Sequence, residues 1–480
     1  MQLIKKDFIK FYVIVVLLIL SVISILVRYP HVLIQQEEIS IDIEDIRQRD
    51  TLVVSTGYNS ISYFIYRGQP MGFQYEMVQR LADALELNVQ VLVCNDMEKS
   101  FEHLRTGACD IIAIDLTVTK ERNEEFSFTE PHSQTRQVLV QRKPKGWENM
   151  NYYTLEEKLL RDHTELANKT IHIPTNTSFR PRIESLSEEI GAPIKIVEVP
   201  NIGSEQLIEM VSEGKIQYTV ADEHSAKVNK FYYKNIDIGT PISFTQNLAW
   251  AVRKSSPKLL VLINNWLREF TKSIEYTHLY TKYYSNPRAA VDIFESDFYS
   301  VKTGKISQYD TIIKKHAEEI AWDWLLLSSL IFQESRFEHD LYSWAGAYGL
   351  MQLMPITANR FGASVPSSPE ENVRAGTQYI QWLDKEFQEY VSDDDERMKF
   401  IIAAYNIGHN HIHDAIQLTI KYDGDASKWD DVKEFFLLKS NPKYYNDPVV
   451  KYGYCRGNGS VRMVDDVIKR YEDYKVVFDD

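Results

Sequence analysis

Trp322–Arg360 reads WDWLLLSSLIFQESRFEHDLYSWAGAYGLMQLMPITANR. Its first half has the pattern of a buried helix that carries an acid. Leu327, Leu330, Ile331 and Glu334 fall at i, i+3, i+4 and i+7, one stripe of an α-helix. Three of these positions are apolar and the fourth is Glu334. A carboxyl group in apolar surroundings keeps its proton, because desolvation penalises the charged form. A general acid is made available near neutral pH in this way. The plainer alternative is a glutamate at a fraying helix end that simply reaches water, and the pattern alone leaves both readings open. Beyond it, Gly346 and Gly349 allow close backbone approach, and Pro355 suits the first turn of a following helix.

Outward from this stretch the chain divides. From Ser307 onward strands give way to helices, over 307–320, 321–337, 371–390, 398–405, 411–422 and 461–474. Upstream the pattern is mixed. Thr51–Thr56 is β-branched, Gln74–Leu85 has helical spacing, and Val89–Cys94 and Asp110–Leu116 are apolar runs. The alternation repeats after Lys169, with strands at Thr170–Ile173, Ile194–Val199 and Tyr218–Ala221. Such alternation predicts mainly parallel sheets covered by helices. Two successive units predict two lobes and a cleft. Lobe 1 is expected over Thr51–Lys143 and Pro241–Ser273, with crossings near Pro144 and near Gly239–Pro241. The tyrosine-rich stretch 276–306 is not a Gly/Ser linker and is expected to pack.

At the amino terminus Lys5, Lys6 and Lys10 precede an uncharged run from Phe11 to Val27, closed by Arg28. The run is short for a spanning helix and long for a signal-peptide core. With no small-x-small cleavage site after it, it reads as an uncleaved signal-anchor, with a cleaved signal peptide as the alternative. The lysines favour a cytoplasmic start, so the bulk of the chain is expected outside the membrane. The expected architecture is therefore multidomain. It comprises a membrane helix at 1–28, a tether at 29–50, a two-lobed α/β domain at 51–275, a packed connector at 276–306 and an all-α domain at 307–480.

Net charge is −14, with 68 acidic against 54 basic side chains, and no basic stripe runs along the sequence. This argues against nucleic acid as a partner. Cys94, Cys109 and Cys455 give no disulfide framework or metal spacing. Cys94 and Cys109 would pair only in an oxidising compartment, and buried thiols are the simpler reading. His409, His411 and His413 lack an evident third ligand, so no metal and no cofactor are expected.

Several segments carry a resemblance. Gly72-Phe73-Gln74-Tyr75-Glu76, Gly107–Ile112, Leu116–Arg122 and Phe126–Pro131 resemble, in order, the extracellular solute-binding proteins of the amino-acid-binding type. Gln333–Phe337, Ser343–Ala358 and Ala403–Gly408 resemble the soluble-lytic-transglycosylase catalytic domain, whose fold is similar to goose-type lysozyme. Together, behind an export signal, the two resemble the membrane-bound lytic murein transglycosylase F family over almost the whole chain.

The second resemblance implies that Glu334 is the catalytic acid/base and Ser343 a serine that orients the site. It implies that Met351 and Gln352 line the cleft, and that Tyr405 and Asn406 hold Glu334 and substrate. The implied reaction cleaves the β-1,4 bond between N-acetylmuramic acid and N-acetylglucosamine without water and leaves 1,6-anhydromuramoyl ends. Gly459 and Met463 stand where the family has an acid and a tyrosine, which alters one cleft wall. The first resemblance implies that Arg122 takes a ligand carboxylate, Asp222 an ammonium, and Thr117, Thr177 and Ser178 smaller polar contacts. Asp115 departs from the usual small hydroxyl, and an Arg122–Asp115 salt bridge in a vestigial cleft is the competing expectation. The implied ligand is a muropeptide, peptide or amino acid, the implied substrate is peptidoglycan, and the implied location is the periplasmic side of an envelope membrane. Two other functions stay open: a catalytically weakened wall-fragment receptor or scaffold, and a hydrolytic muramidase using Glu338 or Asp340 as a second carboxylate.

Overall fold

In the computed structural model, which describes residues 39–479, the mixed region builds thirteen strands. In chain order they are β1 (Thr51–Thr56), β2 (Phe64–Tyr66), β3 (Gln69–Met71), β4 (Asn88–Val93), β5 (Ile111–Thr117), β6 (Phe126–Phe128), β7 (Ser133–Thr135), β8 (Gln137–Arg142), β9 (Thr170–Pro174), β10 (Lys195–Val199), β11 (Tyr218–Asp222), β12 (Ile236–Pro241) and β13 (Gln246–Arg253). The membrane helix expected over 1–28 lies outside the described residues. Among the described residues no helix is long and apolar enough to cross a membrane.

Two sheets form the two lobes. In lobe 1 the order is β4-β1-β5-β13-β6, with β7 also on β13. There β1 runs parallel to β4 and β5, and β13 closes antiparallel on β5. In lobe 2 the order is β10-β9-β11-β8-β12. Helix Phe73–Leu85 supplies Phe73, Met77, Val78 and Leu81 to the first core, and helix Pro257–Phe270 supplies Leu259, Ile263 and Leu267. Both are one-sided stripes of the kind that helical spacing predicts.

The first lobe crossing differs from the expectation near Pro144. Because β8 pairs with β11 and β12, Gln137–Arg142 already belongs to lobe 2. The crossing lies at Arg136, between β7 and β8. An apolar run fits a strand in either sheet, and pairing partners distant in sequence decide which. The return crossing lies between β12 and β13.

Residues 274–303 form three short helices, Ile274–Tyr284, Pro287–Phe294 and Ser300–Thr303. Tyr283, Tyr284 and Tyr299 are buried there against lobe 1. The helical domain then follows, with its core running from Ile306 to Tyr474. Helix Trp429–Leu438 went unrecognised in the sequence pattern, although Trp429, Val432 and Phe436 bury at i, i+3 and i+7.

Lobe 1 and the helical domain are joined by more than chain connection. The β2–β3 hairpin carries Ile65 into the helical core. Its tip, Gly68, has φ +75°, and a side-chain carbon there would lie 2.6 Å from Phe337 and 2.9 Å from Phe332. Only glycine tolerates both demands. The Tyr474 hydroxyl donates to the Gly68 carbonyl, and the Tyr63 hydroxyl donates to the Asp473 carbonyl at 3.2 Å. The Asp473 carboxyl is enclosed at this junction, and burial pushes its pKa up to about 7.

Candidate active site

Glu334 sits in the last turn of helix Trp324–Ser335. The helix begins with the Asp323 carboxylate capping the Leu325 N–H at 2.8 Å. Every residue from Leu325 to Phe332 is buried, and Gln333 and Glu334 are half-buried. Arg336 and Phe337 then both adopt left-handed backbone, φ +52° and +63°. For non-glycine residues this costs about 1 kcal/mol or more each, and it turns the chain sharply after Glu334. Burial alone pushes the Glu334 pKa up to about 8. Among the described residues no cation or hydrogen-bond donor opposes that shift. The group is thus a carboxylic acid that stays protonated at neutral pH.

The segment after it forms a tightly tied loop. Tyr348 and Leu353 exchange backbone hydrogen bonds at 3.0 Å, and Gly349 N–H donates to the Leu341 carbonyl at 3.1 Å. Gln352 has φ +45°, and its side-chain amide donates to the carbonyls of Leu341 and Gly349 at 3.0 and 2.9 Å. Asn372 is 1% exposed. It accepts from the Met351 N–H at 2.8 Å and donates to the Tyr348 carbonyl at 3.1 Å. A side-chain carbon at Gly349 would come within 2.5 Å of it. Asn372 therefore clamps the loop from behind. The sequence reading missed it, although an amide next to the buried positions of a helix is the available signal.

Three expected roles take a different form. Met351 is fully buried, its side chain packs on Gly376, and its N–H is taken by Asn372. The Ser343 hydroxyl accepts from the Ala347 N–H at 3.0 Å and shapes a turn. The Tyr405 hydroxyl donates to the Met351 carbonyl at 2.7 Å, and the Asn406 amide oxygen accepts from the Ser460 hydroxyl at 2.6 Å. The Tyr405 hydroxyl is thus spent on positioning Met351, whereas Asn406 is exposed. Tyr405 still lies within the field of Glu334: burial first, then the Glu334 charge, pushes its phenol well above the ordinary range. Gly459 leaves open space where a side chain would project, and Met463 is buried in the domain core. Glu338 and Asp340 are exposed, and Asp340 pairs with His339 at 3.0 Å.

A second site lies between the lobes. Asp115, Thr117 and Arg122 from lobe 1, with Thr177, Ser178 and Asp222 from lobe 2, line one cavity. Arg122 does not pair with Asp115. Its guanidinium donates to the carbonyls of Thr117 and Asn176 at 3.1 and 3.3 Å, and no carboxylate lies within salt-bridge distance among the described residues. Asp115 instead meets His224 at 2.8 Å across the cleft. It also accepts from Gln74 and Tyr284 at 2.7 and 3.2 Å. Burial works against the Asp115 charge, but His224, His132 and Tyr284 outweigh it and hold its pKa below the usual range. One Asp222 oxygen is buried without a partner among the described residues, and burial pushes that carboxyl up to about 6. Glu205 bridges from lobe 2 to the Ser60 N–H of lobe 1 at 3.1 Å. His224 and Glu205 went unremarked in the sequence, since neither has a local pattern. The Thr177 hydroxyl donates to the Pro174 carbonyl at 3.1 Å, and the Ser178 hydroxyl accepts from Gln137 at 3.2 Å. The three cysteines are buried free thiols. Among the described residues no cluster of potential ligands suits a metal ion.

Comparison with known proteins agrees with this division. The family model of bacterial extracellular solute-binding proteins, family 3, matches residues 51–286, and that of the transglycosylase SLT domain matches residues 311–428. A membrane-bound lytic murein transglycosylase F from Photobacterium profundum is 26% identical over 440 residues, covering 91% of this chain and 82% of its own. Holo ArgBP from T. maritima, a solved structure, is 23% identical with a TM-score of 0.41, covering 51% of this chain and 100% of that one. The protein of the same name from Desulfosudis oleivorans is 33% identical over 433 residues, which span 89% of this chain and 90% of the relative. At that identity over nearly the full length of both, this chain belongs to the membrane-bound lytic murein transglycosylase F family.

Proposed function

We propose that the chain is an exported peptidoglycan lytic transglycosylase whose one reacting side chain is Glu334, with a two-lobed module that binds a regulatory ligand. The observation that carries the reading is a carboxyl at the end of a buried helix, its pKa raised by burial and with no partner among the described residues, beside a loop tied by Asn372 and Gln352. Most glycosidases use two carboxylates. Here Glu334 donates its proton to the oxygen between N-acetylmuramic acid and N-acetylglucosamine. The acetamido oxygen of the muramoyl residue stabilises the charge developing at C1 as the C1–O bond breaks. Glu334, now a carboxylate, takes the proton from the muramoyl C6 hydroxyl, and O6 bonds to C1. The proton balance closes on Glu334 and no water enters. The loop tied by Gln352 and Asn372 forms the wall beside Glu334 against which the sugars would rest. Tyr405, Asn406 and Ser343 keep that wall in register.

The chemistry of the lobe cleft suits a ligand with a carboxylate for Arg122 and an ammonium for Asp222, such as an amino acid or a stem peptide of peptidoglycan. The enzyme is assigned to the periplasmic side of an envelope membrane. Digestion of purified sacculi by the full chain and by Glu334→Gln, followed by mass spectrometry, tests the reaction. Anhydromuramoyl ends from the wild type and none from the variant are expected. Reducing ends would refute the lyase reading and favour a muramidase. Calorimetry against a panel of stem peptides tests the cleft. Loss of a binding heat in Arg122→Ala is expected, and absence of binding to the wild-type chain would refute it.

A further inference from the structure

Although the chain is acidic overall, one depression on lobe 2 is built of cations. Arg136 at the lobe crossing, Lys143 just after β8, and Lys227, Lys230 and Lys234 line it, with Glu223 as the one carboxylate. Glu223 is already committed, to Arg136 at 2.8 Å and Lys227 at 3.3 Å. Lys143, Lys230 and Lys234 have no carboxylate within 4 Å among the described residues. The Lys143 ammonium donates to the Lys234 carbonyl at 2.8 Å and lies 3.6 Å from the centre of the Trp147 ring. Burial first, then the charge of Lys230, lowers its pKa, with Asp237 and Glu148 opposing the shift and Lys234 adding slightly to it. Five cations are thus gathered at one depression, with Glu223 pairing two of them and Asp237 and Glu148 offsetting only part of the repulsion at Lys143.

The same segment adds aromatic surface. Arg142-Lys143-Pro144-Lys145-Gly146-Trp147 leads within a few residues to Tyr152 and Tyr153, which are 70% and 78% exposed. Lysines near a half-buried Trp and two exposed Tyr rings have the composition of a surface resting among lipid headgroups. A soluble polyanion would need the lysines but not the exposed rings. We propose that this face of lobe 2 docks on an anionic lipid surface, its lysines meeting headgroup phosphates and Tyr152 and Tyr153 entering the interface. The contact is separate from any membrane segment at the amino terminus and from both clefts described above.

The test uses the full chain in vesicles, so that any amino-terminal anchoring is common to every arm. Amide hydrogen exchange over 142–156 and 227–235 is followed in phosphatidylcholine vesicles with and without 30 mol% phosphatidylglycerol, a fraction on the order of an anionic leaflet's. Slower exchange of both segments is expected only with the anionic lipid, and it should vanish in about 0.5 M salt. Each lysine is worth roughly fivefold in occupancy of such a surface. Lys230→Gln with Lys234→Gln should therefore cut occupancy by about 25-fold, while leaving the Lys143 contact and sacculus cleavage intact. Equal exchange in the two vesicle types would overturn the proposal. So would protection by inorganic phosphate or by soluble peptidoglycan fragments without vesicles, which would assign the site to a soluble anion. Loss of cleavage in the double variant would also count against it, because the lysines would then serve the enzyme's fold or reaction.

Discussion

If Glu334 is held protonated by burial, the enzyme sacrifices stability to keep it, and removing the charge returns that stability in a pH-dependent way. The folded-state pKa is about 8 against 4.5 when unfolded. Between these values the folded chain binds the extra proton, so stability falls as pH rises through the window. The penalty is near zero at pH 4, about 3 kcal/mol at pH 7 and about 5 kcal/mol at pH 9, taking 1.36 kcal/mol per pKa unit. Glu334→Gln keeps the shape and has no charge to desolvate. It should raise the melting temperature of the helical domain by roughly 6–12 °C at pH 7, using about 2–4 °C per kcal/mol for a domain of this size. The gain should grow toward pH 9 and disappear at pH 4. Differential scanning of both proteins at the three pH values measures it, with turnover on sacculi in parallel. A gain that is the same at every pH, or none at all, would refute the reasoning. It would mean that the carboxyl is hydrated and ionised, as a glutamate at a frayed helix end would be.

Asn372→Ala leaves the Met351 N–H and Tyr348 carbonyl without partners in a buried setting. It should cost about 1–3 kcal/mol and lower kcat on sacculi more than Tyr405→Phe, which deletes one hydrogen bond worth about 1 kcal/mol. Gly68→Val forces a left-handed β-branched residue against Phe337 and Phe332. It should detach the hairpin from the helical domain, visible as earlier proteolysis at the 276–306 connector. The Asp115–His224 pair should tie the lobes most firmly between about pH 4 and neutrality. Asp115, held low, loses its charge as pH falls through its folded pKa. Burial lowers the His224 pKa, but Asp115 outweighs it and raises the value, so that half of the pair is lost as pH rises through it. Hydrogen exchange across the cleft should accelerate at both ends of that window, and His224→Phe should flatten the upper end.

Much of the architecture is written locally. The apolar stripes of Phe73–Leu85 and Pro257–Phe270 and the β-branched run Thr51–Thr56 each specify an element through their own spacing, since helix and strand periods are properties of neighbouring residues. So is the oddity at the outset, a glutamate on the apolar stripe of a helix. What the sequence by itself could not weigh was whether Glu334 reaches water, because desolvation is set by everything packed around the carboxyl. Nor could spacing assign Gln137–Arg142 to lobe 2, since β8 finds its sheet through β11 and β12, far along the chain.

The remaining decisions are likewise tertiary. Met351 lies in a motif that points at the cleft, yet a glycine on a separate helix, Gly376, gives its side chain a buried seat. Asp115 stands seven residues from Arg122 in sequence and meets His224 of the other lobe instead. The cations of lobe 2 are scattered between 136 and 234 and form no stripe until β8 and the Glu223–Tyr232 helix bring them to one face. Periodicity and motif order determined most of the elements, the two kinds of domain and the place of an acid on an apolar helix stripe. Burial, pairing and charge were decided by the tertiary structure alone, because each depends on atoms that the chain brings together only when folded.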